Sequence, residues 1–151
     1  GPLSEVETEF LLEMTATLSS EPVAVGDAGR GTRSIAIVTG GSFEGPHLKG
    51  DVLPVGGDFL VRRTDEVTQL DVRIALRTDD GADIYVTYGG VIHTQGLGPV
   101  GGPAEGERYF RTTPRFETGE ERYQWLNRVV AVGVNQPSDP GSVRYRIHAV
   151  L

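Results

Sequence analysis

The 151-residue chain carries 14 lysines and arginines against 21 aspartates and glutamates, for a net charge of −7, and it has no cysteine. An acidic surface favours solubility and disfavours nucleic acid or an anionic membrane as partners, since both demand a basic footprint. Without cysteine there are no disulfides and no thiolate metal sites.

The length suits one domain. No run of 18 apolar residues is present, and no basic-then-apolar leader, so a soluble cytoplasmic protein is expected. Gly1-Pro2 reads as a tag remnant; residues 1–9 are then a tail and 10–151 the folded domain. The 21 glycines and 9 prolines fit many turns between short strands.

Glu7 to Leu18 alternates, with Phe10, Leu12, Met14, Ala16 and Leu18 on one face, which predicts a strand. Glu21-Pro22 ends it, and Asp27 to Gly31 is a turn. Arg33 to Thr39 reads as a second strand, with Gly40-Gly41 a bend or bulge. Phe43 to Phe59 is apolar fragments cut by glycine and proline, the texture of strands turning barrel corners. After a turn at Thr64 to Glu66, Val67 to Arg77 alternates cleanly: Leu70, Val72, Ile74 and Leu76 against Asp71, Arg73, Ala75 and Arg77. Asp79-Asp80-Gly81 signals a hairpin, and Ile84 to Gly90 returns from it. Leu97 to Gly106 is a rim or lid loop. Tyr109 to Phe116 and Tyr123 to Val134 are expected as long strands, and Val143 to Val150 closes the chain. Eight to ten strands without a long helix predict an all-β protein. A single antiparallel barrel leaves no open edge and is the first choice, a two-sheet sandwich the second.

Three stretches carry a resemblance. The first is Gly40 to Gly50 (GGSFEGPHLKG), followed by Leu53-Pro54 and Gly57-Asp58. The second is Leu70-Asp71-Val72-Arg73 with Leu76 to Ala82 and Ile84-Tyr85-Val86. The third is Tyr109 to Gly119 with Tyr123-Gln124-Trp125-Leu126-Asn127-Arg128. Together they resemble the bacterial and fungal family known as domain of unknown function 3237, from about Phe10 to the C-terminus. The resemblance implies a lipocalin-sized, allene-oxide-cyclase-like barrel of mostly unassigned activity. Phe59 stands where a tryptophan would be expected.

Several strand faces offer polar groups that can meet in a cavity. Asp71 and Arg73 share one face; Tyr85 and Thr87 share another. Tyr123, Trp125 and Asn127 would share a third, and Phe110, Thr112 and Phe116, or else Tyr109 and Arg111, a fourth. Asp71 or Asp58 is the expected general base, with Arg73 and Tyr85 stabilising negative charge on oxygen. Trp125, Tyr123, Asn127, Phe116, Thr112, Arg111, Glu117 and Glu44 are the expected substrate-binding groups. The alternative for each carboxylate is a structural pairing with an arginine or a solvated face. His47, His93 and His148 lack ligand spacing, so no metal is expected. No nucleotide-type glycine loop or nucleophile elbow is present, so no cofactor is expected either.

These residues point to a small-molecule barrel. It is read first as a cofactor-independent isomerase, cyclase or lyase acting on an apolar, oxygenated metabolite of aromatic or polyketide-like character. A ligand-binding barrel without turnover is the second reading, and a structural module forming a homodimer the third.

Overall fold

The computed structural model describes residues 4–151. Eleven strands form one antiparallel sheet: β1 (Thr8–Leu18), β2 (Val23–Asp27), β3 (Thr32–Glu44), β4 (Lys49–Val52), β5 (Gly57–Asp58), β6 (Val61–Arg62), β7 (Thr68–Thr78), β8 (Asp83–His93), β9 (Tyr109–Glu117), β10 (Val130–Gln136) and β11 (Ser142–Val150). A 3-10 helix, η1 (Glu121–Arg128), separates β9 from β10. The sheet order is β1-β11-β10-β9-β8-β7-β4-β3-β2, and β1 also pairs with β3, so the sheet closes into an eight-stave barrel. The short pieces β4, β5 and β6 together make one stave between β3 and β7. The expected barrel is therefore the fold, and β2 is a hairpin arm outside the ring.

Gly40 and Gly41 do not end a strand; β3 runs through them. Both have positive φ, +149° and +139°, and a Cβ on Gly41 would lie 2.0 Å from the Thr15 carbonyl oxygen. The two glycines let β3 bend tightly against β1 and swing from one neighbour to the next.

Side-chain parity decides the interior. Along β7, Leu70, Val72, Ile74, Leu76 and Thr78 are buried, while Asp71, Arg73 and Arg77 are exposed. On β9, Phe110, Thr112, Pro114 and Phe116 turn inward, and Arg111, Thr113, Arg115 and Glu117 turn out. One expected alternation breaks. The register of β1 shifts between Phe10 and Leu12, so Leu11 and Leu12 are both buried and Phe10 leaves the inner face to meet His148 edge-on outside.

The expectation of a strand beginning at Tyr123 is corrected. Residues 121–128 form η1, which projects one residue into the core: Leu126 is fully buried while Trp125 stays 36% exposed. Alternation cannot distinguish a strand from a short 3-10 turn here, because only one apolar residue in the segment has to be covered. Asn127 fixes η1 to the end of β9. Thr118 N–H donates to its Oδ1 at 2.8 Å, and its Nδ2 donates to the Thr118 carbonyl at 2.9 Å.

Leu126→Ala should destabilise the fold by roughly 2–5 kcal/mol, because it empties a packed site that η1 alone fills. Arg128→Ala on the exposed side of η1 should stay within about 0.5 kcal/mol. Chemical denaturation of both variants checks the contrast.

Candidate active site

Asp58 is the one acidic side chain among the expected site residues that the barrel takes inside. It lies opposite Val72 on β7 and Ala36 on β3; Val72 in turn lies opposite Tyr88 on β8, and Tyr88 opposite Pro114 on β9. Directly opposed residues share a face of the sheet, and Val72, Tyr88 and Pro114 are buried. Asp58 therefore points inward and is half-buried. Its placement is held from the backbone: Phe59 N–H donates to the Asp71 carbonyl, while Asp71 N–H donates to Asp58 Oδ1 at 3.0 Å.

Across the interior stands Tyr145 on β11, opposite Met14 and Asn135. Its ring meets Tyr88 edge-on at 5.4 Å and Phe110 at 5.6 Å. The two phenols interact with one another, and both sense the Asp58 charge. Neither tyrosine stood out in the sequence. Tyr88 closes an otherwise aliphatic inward series, Ile84 and Val86, and that change of residue type is the signal that would have found it. Asn135 accepts a hydrogen bond from Arg108 Nη2 at 2.9 Å, and the Arg108 guanidinium lies 5.5 Å from the centre of the Phe110 ring.

Burial sets the electrostatics. Loss of water raises the Asp58 carboxyl to about 6; the bond from Asp71 N–H pulls the other way, and the Asp71 charge adds to the rise. Burial also pushes both tyrosine hydroxyls well above the ordinary phenol value. The arrangement holds one carboxyl that exchanges a proton near neutrality beside two phenols that keep theirs. Lower in the barrel Leu12, Ile74, Leu76, Ile84, Val86 and Leu126 pack the interior.

The other expected site residues fall elsewhere. Asp71, Arg73 and Tyr85 do come together, but on the outside of the barrel, where each is exposed. The expectation that they face a shared hollow is thus corrected: β7 has room for one inward face, and its four aliphatic side chains take it. Glu117 lies on the same outer face, opposite Tyr85. Arg111 turns outward, donating to the Phe110 carbonyl and lying over the Tyr109 ring. Phe116 and Thr112 are inside as expected; Thr112 packs against Gly133, where any Cβ would sit 2.2 Å from Thr112 Oγ1. Trp125 and Tyr123 line an external cleft of about 450 Å³ with Phe10 and His47, and the Tyr123 hydroxyl donates to Asp80 at 3.0 Å. Glu44 borders a separate surface groove with Glu13 and Lys49. Among the described residues no group of three His, Asp or Glu side chains is placed to hold a metal, and no helix is long and apolar enough to cross a membrane.

The family model of a protein of unknown function, DUF3237, matches residues 6–150. The UPF0311 protein of Rhodopseudomonas palustris strain CGA009 is 38% identical over 137 residues, covering 85% of this chain and 86% of that protein. The crystal structure of a beta-barrel-like protein from Acinetobacter baumannii AYE superposes with a TM-score of 0.87 at 31% identity, covering 100% of this chain and 99% of that one. The hydroalkoxylation enzyme phnH of Penicillium herquei is 30% identical over 127 residues, covering 83% of this chain and 71% of that protein.

The electrostatics carry a test of stability against pH. Native Asp58 keeps its proton to about pH 6, whereas an unfolded chain releases it near 3.8. Between these values the native state binds more protons, so this group's contribution falls as pH rises and levels off above 6. Asp58→Asn cannot ionise and still accepts from Asp71 N–H. It should therefore be more stable than the parent at pH 8, by roughly 1–3 kcal/mol, and nearly equal to it at pH 3.5. Melting curves at the two pH values measure the difference.

Proposed function

The chain belongs to the DUF3237 family, and we propose that its barrel is a cofactor-independent acid/base enzyme that isomerises an apolar, oxygenated small molecule. The observation that carries this reading is Asp58: an inward carboxyl with a pKa of about 6, within electrostatic reach of two phenols that remain protonated. Perturbed groups with opposite protonation states, held in one apolar site, are what proton-transfer catalysis requires.

The relative named for hydroalkoxylation supports a particular version, the addition of an O–H group across a C=C bond within one molecule. Ionised Asp58 takes the proton from the substrate hydroxyl. The oxygen attacks one alkene carbon, and the proton is returned to the other. Atoms balance and no electrons are gained or lost. A carbonyl conjugated to the alkene would gather negative charge as the C–O bond forms. Tyr88 and Tyr145 donate hydrogen bonds to that oxygen. Phe110, Val72 and Leu70 supply apolar surface for the carbon skeleton.

The test is a panel of phenols and alcohols, each with a pendant alkene conjugated to a carbonyl, read by chromatography for a product of equal mass and shorter or longer retention. At least one member should cyclise. Asp58→Asn should lower kcat/KM by about 10²–10⁴-fold, and the parent profile should fall below pH 6 as Asp58 takes up its proton. Unchanged turnover in Asp58→Asn removes Asp58 from the chemistry. Panel members that bind at the tyrosines without being converted would support a ligand-binding barrel instead.

A further inference from the structure

We propose that the outer face of β7, β8 and β9 is a second small-molecule site, which takes a compact oxyanion: the carboxylate or monophosphate of a small organic molecule. It is separate from the interior and does not rest on the reading of Asp58. Register places Arg73, Thr87 and Arg115 side by side in one row across the three strands. Neighbouring strands are about 4.8 Å apart, so the two arginine backbones stand about 10 Å apart, close enough for both side chains to converge on one ion above Thr87.

Three features fit an anion there. First, among the described residues neither Arg73 nor Arg115 forms an ion pair or a side-chain hydrogen bond, whereas Arg63, Arg77, Arg122, Arg144 and Arg146 are all paired with carboxylates. Two unneutralised guanidinium groups in one row repel, and an oxyanion between them removes the repulsion. The planar guanidinium fork also matches carboxylate and phosphate oxygens. Second, the row above is Asp71, Gly89 and Thr113. Gly89 leaves a floor without a side chain, since a Cβ there would meet only the Leu70 carbonyl oxygen at 3.7 Å. The result is an open basin of about 520 Å³, with the Thr87 and Thr113 hydroxyls as further donors. Third, the row below holds Tyr85, 40% exposed, whose ring offers flat apolar surface for the organic part of a ligand.

The size limit comes from the corners. Asp71 and Glu117 sit diagonally across the basin, each two residues from an arginine on its own strand. Their charges make the margin hostile to an extended polyanion such as nucleic acid.

The experiment titrates the full chain with inorganic phosphate and, separately, with benzoate, at constant ionic strength held by sodium chloride, following amide and arginine Nε signals by NMR. Saturable shifts at Thr87, Gly89 and Thr113 are expected. Arg73→Ala and Arg115→Ala should each weaken binding by at least about tenfold, the scale of a lost charge-assisted hydrogen bond. Gly89→Val fills the floor with both charges intact and should block it. Arg62→Ala removes an exposed, equally unpaired arginine on β6 and should leave binding within about twofold. Tighter phosphate than benzoate identifies a phosphoryl ligand, and the reverse a carboxylate; either supports the site. No saturable shift with either anion, or an equal loss in Arg62→Ala, overturns it. Melting curves establish that each variant is folded, and should Gly89→Val not fold, the two arginine variants decide the question alone.

Discussion

Closure of an antiparallel sheet into eight staves gives every residue on a stave one of two fates, and the small volume inside is the constraint on which the rest of this molecule depends. Successive side chains alternate, so a strand cannot put both of its faces to use in the same place. On β7 the contest is between four aliphatic side chains and an Asp-Arg pair. Burying the aliphatic set gains roughly 1.5–3 kcal/mol for each side chain. Burying Asp71 and Arg73 instead would take charges out of water at a cost that pairing alone does not recover. The aliphatic face goes in, and the polar faces of β7, β8 and β9 are carried together to the surface.

A polar group that does enter such an interior is conspicuous. Asp58 enters because β5 is only two residues long and its direction is fixed by backbone contacts to β3 on one side and β7 on the other. The half-buried carboxyl lies on the strand position opposite Val72 and within electrostatic reach of Tyr88 and Tyr145, with a single backbone donor from Asp71 to hold it. That combination keeps its proton affinity close to neutrality, where acid and base forms are both accessible. The tyrosines respond in the opposite functional sense: the same burial that makes the acid labile at neutral pH makes the phenols inert as acids and dependable as donors.

The barrel thus separates two kinds of polar chemistry by geometry. Inside, one carboxyl and two phenols sit among aromatic and aliphatic walls. Outside, arginines, threonines and an exposed tyrosine lie on a sheet face dented by Gly89. At one end η1 inserts Leu126 as a plug and is itself held by the paired amide contacts of Asn127. Residues expected to bind substrate, Asn127 and Tyr123 among them, are used in this fastening: Asn127 completes the backbone of Thr118, and Tyr123 anchors to Asp80.

Several of these features were already fixed by the order of the residues. Period-two alternation on Val67 to Arg77 and Ile84 to Gly90, the Asp79-Asp80-Gly81 turn and the recurrence of glycine and proline determined an antiparallel all-β fold, because backbone alternation and turn chemistry are local; the choice of a barrel over a sandwich rested on the pairing of β1 with β3. The family resemblance was legible in continuous motifs for the same reason. What tertiary structure alone decided was parity and partnership. Which face of β7 turned inward, the bulge that expelled Phe10, the conversion of Tyr123 to Arg128 into a plug, and the meeting of Asp58 with Tyr88 and Tyr145 all depend on contacts between residues distant in sequence. A strand read alone has two equivalent faces; only closure against its neighbours, with one limited interior to fill, makes them different.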